Sequence, residues 1–299
     1  MKILLLGKNG QVGWELQRSL APLGKVIALT SDSTQWCGNL ADLDGIAATV
    51  RAIAPDVIVN AAAYTAVDRA ETDSLACHTV NALAPAVLAA AAAQIGALLV
   101  HYSTDYVFDG SGNAPRDESA IAKPLSVYGS TKLEGEQAIV ESGCHHLIFR
   151  TSWVYAARGS NFISTMLRLA GERESLSVVA DQFGAPTGAD LIADVTAHAI
   201  RCTVRRADLS GIYHLVAGGK TSWHGYASYV IDLARKSGAP IKVAQTAISA
   251  VSSDAFQAVA IRPKNSTLST KKLQSAFALE LPEWQYGVAR MLCETIGIK

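Results

Sequence analysis

The stretch KILLLGKNGQVG, Lys2 to Gly13, decides the fold. Lys2–Leu6 is an apolar run without polar alternation, which predicts a strand buried on both faces, as in a parallel sheet. Three glycines follow. Gly7 suits the tight turn, Gly10 lets backbone approach a pyrophosphate, and Gly13 lets helix and strand pack closely. The helix predicted over Val12–Leu20 would then offer free N–H groups and a positive dipole end to an anion. A glycine pattern alone is weak, but directly after a strand it points to a dinucleotide.

Outward from this unit the first half alternates strands and helices. Strands are predicted at Val26–Thr30, Asp56–Asn60, Ala97–Ser103 and His146–Thr151. Helices are predicted at Leu43–Ile53, Ser74–Gln94 and Ser126–Glu141. This pattern predicts an α/β fold, a Rossmann-type doubly wound parallel sheet whose ligand crevice lies at the carboxyl ends of its strands. The second half is less regular. It reads as a strand at Leu176–Ala180, a helix at Asp190–Thr203, a strand at Ile212–Val216, a helix at Trp223–Ser237, and a last helix over Pro282–Ile296 opened by its proline. We expect residues 1–150 to form the NAD(P)-binding domain and 151–299 mainly a smaller α/β C-terminal substrate lobe, with segments such as 190–216 returning to the first.

The chain has 299 residues, 49% hydrophobic and 17% charged, enough to bury a large core. Lys+Arg and Asp+Glu each number 26, and this balance argues against nucleic acid or an anionic membrane as the main partner. Five scattered cysteines without a C-x-x-C pair argue for reduced thiols in a cytoplasmic protein. The opening MKILLLGKNG is too short for a signal sequence, and no stretch is expected to reach the length of a membrane span.

Chemistry enters with Tyr128-Gly-Ser-Thr-Lys132. Residues four apart share a helix face. A lysine ammonium beside a phenol, with a cationic nicotinamide near, would favour the phenolate and lower its pKa. The tyrosine could then pass a proton to a carbonyl oxygen while hydride arrives from a nicotinamide. Upstream, His101-Tyr-Ser-Thr-Asp-Tyr-Val-Phe108 places Ser103 or Thr104 at a strand end, where a hydroxyl can reach the same oxygen. Asp105 could hold a sugar hydroxyl. After the second strand, Asp32 could take ribose hydroxyls, while the hydroxyls of Thr30, Ser31, Ser33 and Thr34 could take a 2′-phosphate. With no Arg or Lys nearby in sequence, both NADH and NADPH are expected. Ala63 either passes under the cofactor or simply packs.

Together these strings resemble the extended short-chain dehydrogenases. VNAAAYTAVD (Val59–Asp68), HYSTDYVFDG, VYGSTKLEGE, FRTSWVY (Phe149–Tyr155), DQFGAPTGA (Asp181–Ala189) and RPKNS (Arg262–Ser266) look, more narrowly, like the dTDP-4-dehydrorhamnose reductase family. That resemblance implies reduction of the C4 keto group of a nucleotide sugar for bacterial surface polysaccharide (O-antigen) precursors. It implies Tyr128 as proton donor, Lys132 as its partner and ribose holder, and Thr104 as polariser of the carbonyl. Gly7, Gly10, Gln11, Val12 and Gly13 would hold the pyrophosphate. Thr30, Asn39, Leu40, Ala63, Tyr64, Thr65 and Tyr102 would line the rest of the cofactor, with Asn39 standing where the family usually has an acid. Asp105 and Trp153 would contact the sugar, and Trp153 could equally be core. Arg262 is either a diphosphate clamp or part of a salt bridge. A homodimer with magnesium at its interface is also implied, the matching acids being Glu15, Asp190 and Asp194. These acids could instead be a solvated face, and Asp190 is shorter than the expected Glu. The rival on this scaffold is a dehydratase or epimerase, but Tyr106 stands where a dehydratase has its glutamate. A regulatory subunit of methionine adenosyltransferase also looks like this family, while intact Tyr128, Lys132 and Thr104 argue for turnover.

Overall fold

Each apolar run of the first half becomes a strand of one sheet. The computed structural model describes residues 1–256 and 258–296. It contains β1 (Lys2–Leu6), β2 (Lys25–Leu29), β3 (Val57–Asn60), β4 (Leu98–Thr104), β5 (His146–Thr151) and β6 (Gly211–His214), in the order β6-β5-β4-β3-β1-β2. Every pair is parallel. The chain steps outward from β1 to β2, then crosses back to β3, so the strand order reverses between β1 and β3. Loops leaving the two strands diverge there and open a crevice. The loops are Gly7–Gly10 and Ala61–Ala63.

Period-two geometry sorts the strand residues into two layers. Ile3 and Leu5 face α1 (Gln11–Leu20) and meet its Leu16 and Leu20. Leu4 and Leu6 face the other way, onto Ile46, Val50 and Ile53 of α2 (Leu43–Ile53). All four strand residues are fully buried. Burying each contributes about 1.5–3 kcal/mol relative to exposure.

The predicted alanine-rich helix is α3, a continuous run Ser74–Ile95 with a π turn at Thr79–Leu83. Contrary to the sequence expectation, it is long and apolar enough to cross a membrane, with mean hydropathy 1.5. The layer it fills explains the composition: Ala84, Leu88, Ala89 and Ala92 are fully buried against the sheet. The π turn leaves Pro85 in the first turn of the following α segment, where its missing N–H goes unnoticed.

Next come α4 (Val127–Glu141), α5 (Phe162–Glu172), α6 (Ala189–Thr203), α7 (Trp223–Lys236), α8 (Lys271–Phe277) and α9 (Trp284–Ile296). α6 packs beside α1, and Ile192, Ala199 and Ile200 complete that layer. α5 was not predicted, although Asn161 and Ser164 form a reciprocal capping box at its start. α9 begins two residues after Pro282, whose carbonyl instead accepts from Gly218 N at 2.8 Å. The remaining segments build a second core of Tyr155, Tyr226, Trp284 and Val288, and a small parallel pair joins Leu176–Val179 to Ile248–Val251. All five cysteines are free.

Candidate active site

A cleft of about 740 Å³ opens at the carboxyl ends of β1, β3, β4 and β5. Gly7, Gly10, Gln11 and Val12 form one wall and Ala61–Ala63 the next. Gly7 has φ +83°, and a Cβ there would lie 2.7 Å from Ala62 N, so the two loops touch through backbone. Gly13 supports the turn from behind: a Cβ there would collide with the Gly7 carbonyl oxygen. Gly10 caps α1 without a side chain, which leaves its first N–H groups facing the cleft.

The opposite wall is made of side chains. Thr104 ends β4, 5% exposed, and its hydroxyl donates to Asp105 Oδ1 at 3.2 Å while accepting from Tyr106 N at 3.2 Å. Asp105 is 2% exposed, and its Oδ2 has no hydrogen-bond partner among the described residues. Burial pushes its carboxyl up to about 6, opposed by hydrogen bonds from Ser266 and Thr104. Tyr128 comes from the first turn of α4, which is capped by the Ser126 hydroxyl on Gly129 N. Its ring meets Tyr106 edge-on, centroids 5.5 Å apart.

Sequence reasoning expected Lys132 to pull the phenol of Tyr128 down. Within the chain itself the phenol is driven up, by burial first, with the Thr104 hydroxyl opposing and Asp105 adding to the rise. Lys132 is engaged elsewhere: its Nζ donates to the Tyr102 carbonyl at 2.6 Å and meets His101 Nε2 at 3.0 Å. A phenol that keeps its proton is the form a proton donor requires.

Several other expectations shift. Tyr64 turns away from the cleft, its hydroxyl donating to Asp73 at 3.0 Å, whereas Ala63 and Thr65 line it. Tyr102 reaches the cleft, but its hydroxyl bonds Thr196 at 2.8 Å in the sheet layer. Leu40 is a core residue beneath α2, and Asn39 holds its own turn through Ala41 N at 3.1 Å, so neither lines the cleft. Thr30 lines an adjoining recess with Asp32, Ser33, Thr34 and Lys8. Lys8 corrects the reading that no cation is near; the glycine loop folds it beside β2, out of sight of local sequence. Trp153 lines the cleft, yet one face is stacked on Trp223 at 3.6 Å. Its φ of +49° is a rare conformation for a bulky residue, of the kind that clusters at functional sites. Arg262 forms an ion pair with Asp68 at 2.7 Å.

The cleft fits a polar dinucleotide. Five buried atoms on residues lining it, Gln11 Oε1, Ser103 Oγ, Asp105 Oδ2, Thr151 Oγ1 and Ser152 Oγ, find no partner among the described residues. Buried polar atoms are normally paired, so these point to a ligand that supplies the missing groups. Sequence reading did not single out Thr151 and Ser152, which adjoin Trp153 in FRTSWVY, or Ser266 at the end of RPKNS, and it missed Trp223 altogether. The acids do not fit a metal in the same way. Arg18 pairs with both Glu15 (3.5 Å) and Asp194 (2.9 Å), while Asp190 pairs with Arg290 at 3.3 Å. A guanidinium already supplies the positive charge a cation would bring, and no metal-holding cluster of three such side chains occurs among the described residues.

Comparison with known proteins agrees with this geometry. The family described as RmlD substrate binding domain matches residues 1–296. A dTDP-4-dehydrorhamnose reductase of Shigella flexneri is 56% identical over 294 residues, covering 98% of both chains. One of Salmonella typhimurium is likewise 56% identical, again with 98% of each chain covered. A crystal structure of the Bacillus anthracis dTDP-4-dehydrorhamnose reductase in complex with NADP superimposes with a TM-score of 0.87 at 34% identity, covering 98% of this chain and 99% of that one.

Proposed function

The chain belongs to the RmlD substrate binding domain family, and from that membership and the cleft we propose that it is an NAD(P)H-dependent oxidoreductase. Its reaction is reduction of the C4 keto group of dTDP-4-dehydro-L-rhamnose to give dTDP-L-rhamnose, a precursor of surface polysaccharide. The observation that carries this reading is the placement of Tyr128 beside Thr104, in a cleft whose other wall is a glycine loop at a helix N-terminus.

When bound, the nicotinamide supplies the hydride. Residues Gly7 to Val12 and the α1 N-terminus hold the diphosphate of the cofactor. Thr104 turns its hydroxyl from Asp105 to the substrate carbonyl oxygen and polarises it. Tyr128 gives that oxygen its proton. The free Oδ2 of Asp105 accepts a sugar hydroxyl, and Trp153, backed by Trp223, presents a flat apolar surface to the ring. Tyr106 and Trp223 also line a second cavity of about 530 Å³ with Phe162, Arg262 and Lys264. Its aromatic and cationic lining suits the nucleotide end of the substrate. Residues 1–150 thus serve the cofactor and 151–299 mainly the sugar nucleotide, with β6 and α6 completing the first unit.

Lys8, with Thr30 and Ser33, supports acceptance of NADPH, and Asp32 supports NADH. The reading carries with it a cytoplasmic homodimer; magnesium is left out, because Glu15, Asp194 and Asp190 are already ion-paired, the first two with Arg18 and the third with Arg290. The test is loss of NADPH absorbance on adding dTDP-4-dehydro-L-rhamnose, with dTDP-L-rhamnose identified as product. Equal amounts of oxidised cofactor and product support the reading. Absence of turnover, with NAD retained through purification, would replace it with an epimerase or dehydratase.

A further inference from the structure

The register of β3 and β4 sets Asn60 opposite His101, and this builds a polar chain inside an apolar layer. Asn60, His101 and Lys132 are each 1% exposed. Asn60 Nδ2 lies 3.2 Å from His101 Nδ1, and His101 Nε2 lies 3.0 Å from Lys132 Nζ. At the far end, Ala62 N donates to Asn60 Oδ1 at 3.3 Å.

Donor and acceptor rules fix where the protons sit. Asn60 Oδ1 accepts from Ala62, so its amide NH₂ faces His101, and Nδ1 must offer a lone pair. The imidazole proton is then on Nε2, aimed at Lys132. An ammonium has no lone pair and cannot accept it, whereas a neutral amine can. The arrangement therefore belongs to uncharged Lys132. When Lys132 gains a proton, Nε2 must become the acceptor, the imidazole proton must sit on Nδ1, and the Asn60 amide must turn over. That turn releases the Ala62 N–H, on the loop lining the cofactor cleft.

We propose that His101 is a positioning residue whose tautomer follows the charge of Lys132, giving the buried amine a matched partner in both charge states. Burial lowers Lys132 to about 8, so both states are accessible near neutral pH. Burial, and then Lys132, hold His101 well below its ordinary value, which leaves the two neutral tautomers. The other groups acting on Lys132 are Glu136, one turn along α4, and Cys77 of α3, both of which favour its charge. Glu136 is tied to Arg150 at 2.6 Å, and burial raises the Cys77 thiol. Tyr128 is on the same helix, its phenol driven up by burial. The consequence for turnover rests on the reductase reading: Tyr128 gives up a proton each cycle, and a lysine that can change charge without stranding a buried donor can help restore it.

The full-length protein labelled with ¹⁵N-histidine, followed by long-range ¹H–¹⁵N correlation from about pH 6 to about pH 10, tests this directly. His101→Gln identifies which of the seven histidine signals belongs to this ring. The expected result is a change from the Nδ1–H to the Nε2–H tautomer with a midpoint near 8, without passage through imidazolium, and a fixed Nε2–H tautomer in Lys132→Met. One tautomer throughout, or the same pH response in Lys132→Met, would overturn the inference whether or not the protein reduces a sugar. In turnover, His101→Phe should lower kcat roughly tenfold, short of the roughly 10²- to 10⁴-fold cost of a lost proton donor. KM for NADPH should stay unchanged, and His101→Gln, whose amide can also reverse, should restore most of the rate. Wild-type rates and pH profiles in both variants would contradict the role while leaving the reductase reading intact.

Discussion

The two walls of the cleft are made of different material. The glycine-loop wall is backbone: Gly7, Gly10 and Gly13 bring a turn against Ala62, and the N–H groups of α1 need no side chain to face an anion. The catalytic wall is side chain: Thr104, Asp105 and Lys132 are buried and Tyr128 half-buried, and Asp105 keeps one carboxylate oxygen without a partner among the described residues. The first wall binds through geometry that also holds the fold together. The second stores a desolvation cost that only reaction chemistry justifies. Changes in the first should therefore weaken structure and binding together, while changes in the second should separate activity from stability.

The largest expected effect sharpens that separation. Tyr128→Phe should lower kcat by roughly 10²- to 10⁴-fold, with KM for NADPH and the unfolding midpoint close to wild type. A matching loss of stability would break the distinction. Gly13→Val should do the reverse: its side chain meets the Gly7 carbonyl, and overpacking typically costs about 1–3 kcal/mol. Urea titration should show that loss together with weaker binding of NADPH.

Asp105→Asn probes the stored cost. The carboxyl titrates near 6 in the fold against a usual 3.8, so its neutral form favours folding. That contribution is full below 3.8 and is lost as pH rises through 6. At about 1.4 kcal/mol per unit, the asparagine variant should be about 3 kcal/mol more stable than wild type above pH 6 and no different below pH 3.8. It should also bind the sugar less well. Equal stability at all pH would show the carboxyl to be solvated. The smallest effect is expected at Lys8→Ala. An exposed charge pair is worth roughly 0.2–1 kcal/mol, so KM for NADPH should rise only a few-fold, and KM for NADH should not change.

The same contrast governs what could be read from sequence. Strands buried on both faces lack polar alternation, so β1 to β5 were legible, and β5 falls on the predicted residues. Gly7, Gly10 and the Tyr128–Lys132 helix were legible because their spacing is local. What escaped depends on register and on distant chain. Lys8 reaches Thr30 through the loop fold, Arg18 stands between Glu15 and Asp194, and Lys132 turns to β4 rather than to Tyr128. Trp223 approaches the site from a segment with no motif of its own, and Ser266 closes the RPKNS string without any local signal that its side chain reaches Asp105.

The central claim is hydride transfer from the nicotinamide to C4 of the sugar. It is tested most directly with NADPH deuterated at the nicotinamide C4 and dTDP-4-dehydro-L-rhamnose, with the product read by NMR. The account predicts one deuterium at sugar C4 in dTDP-L-rhamnose and release of NADP⁺. Deuterium at another sugar carbon, or none with the cofactor still reduced, would contradict it.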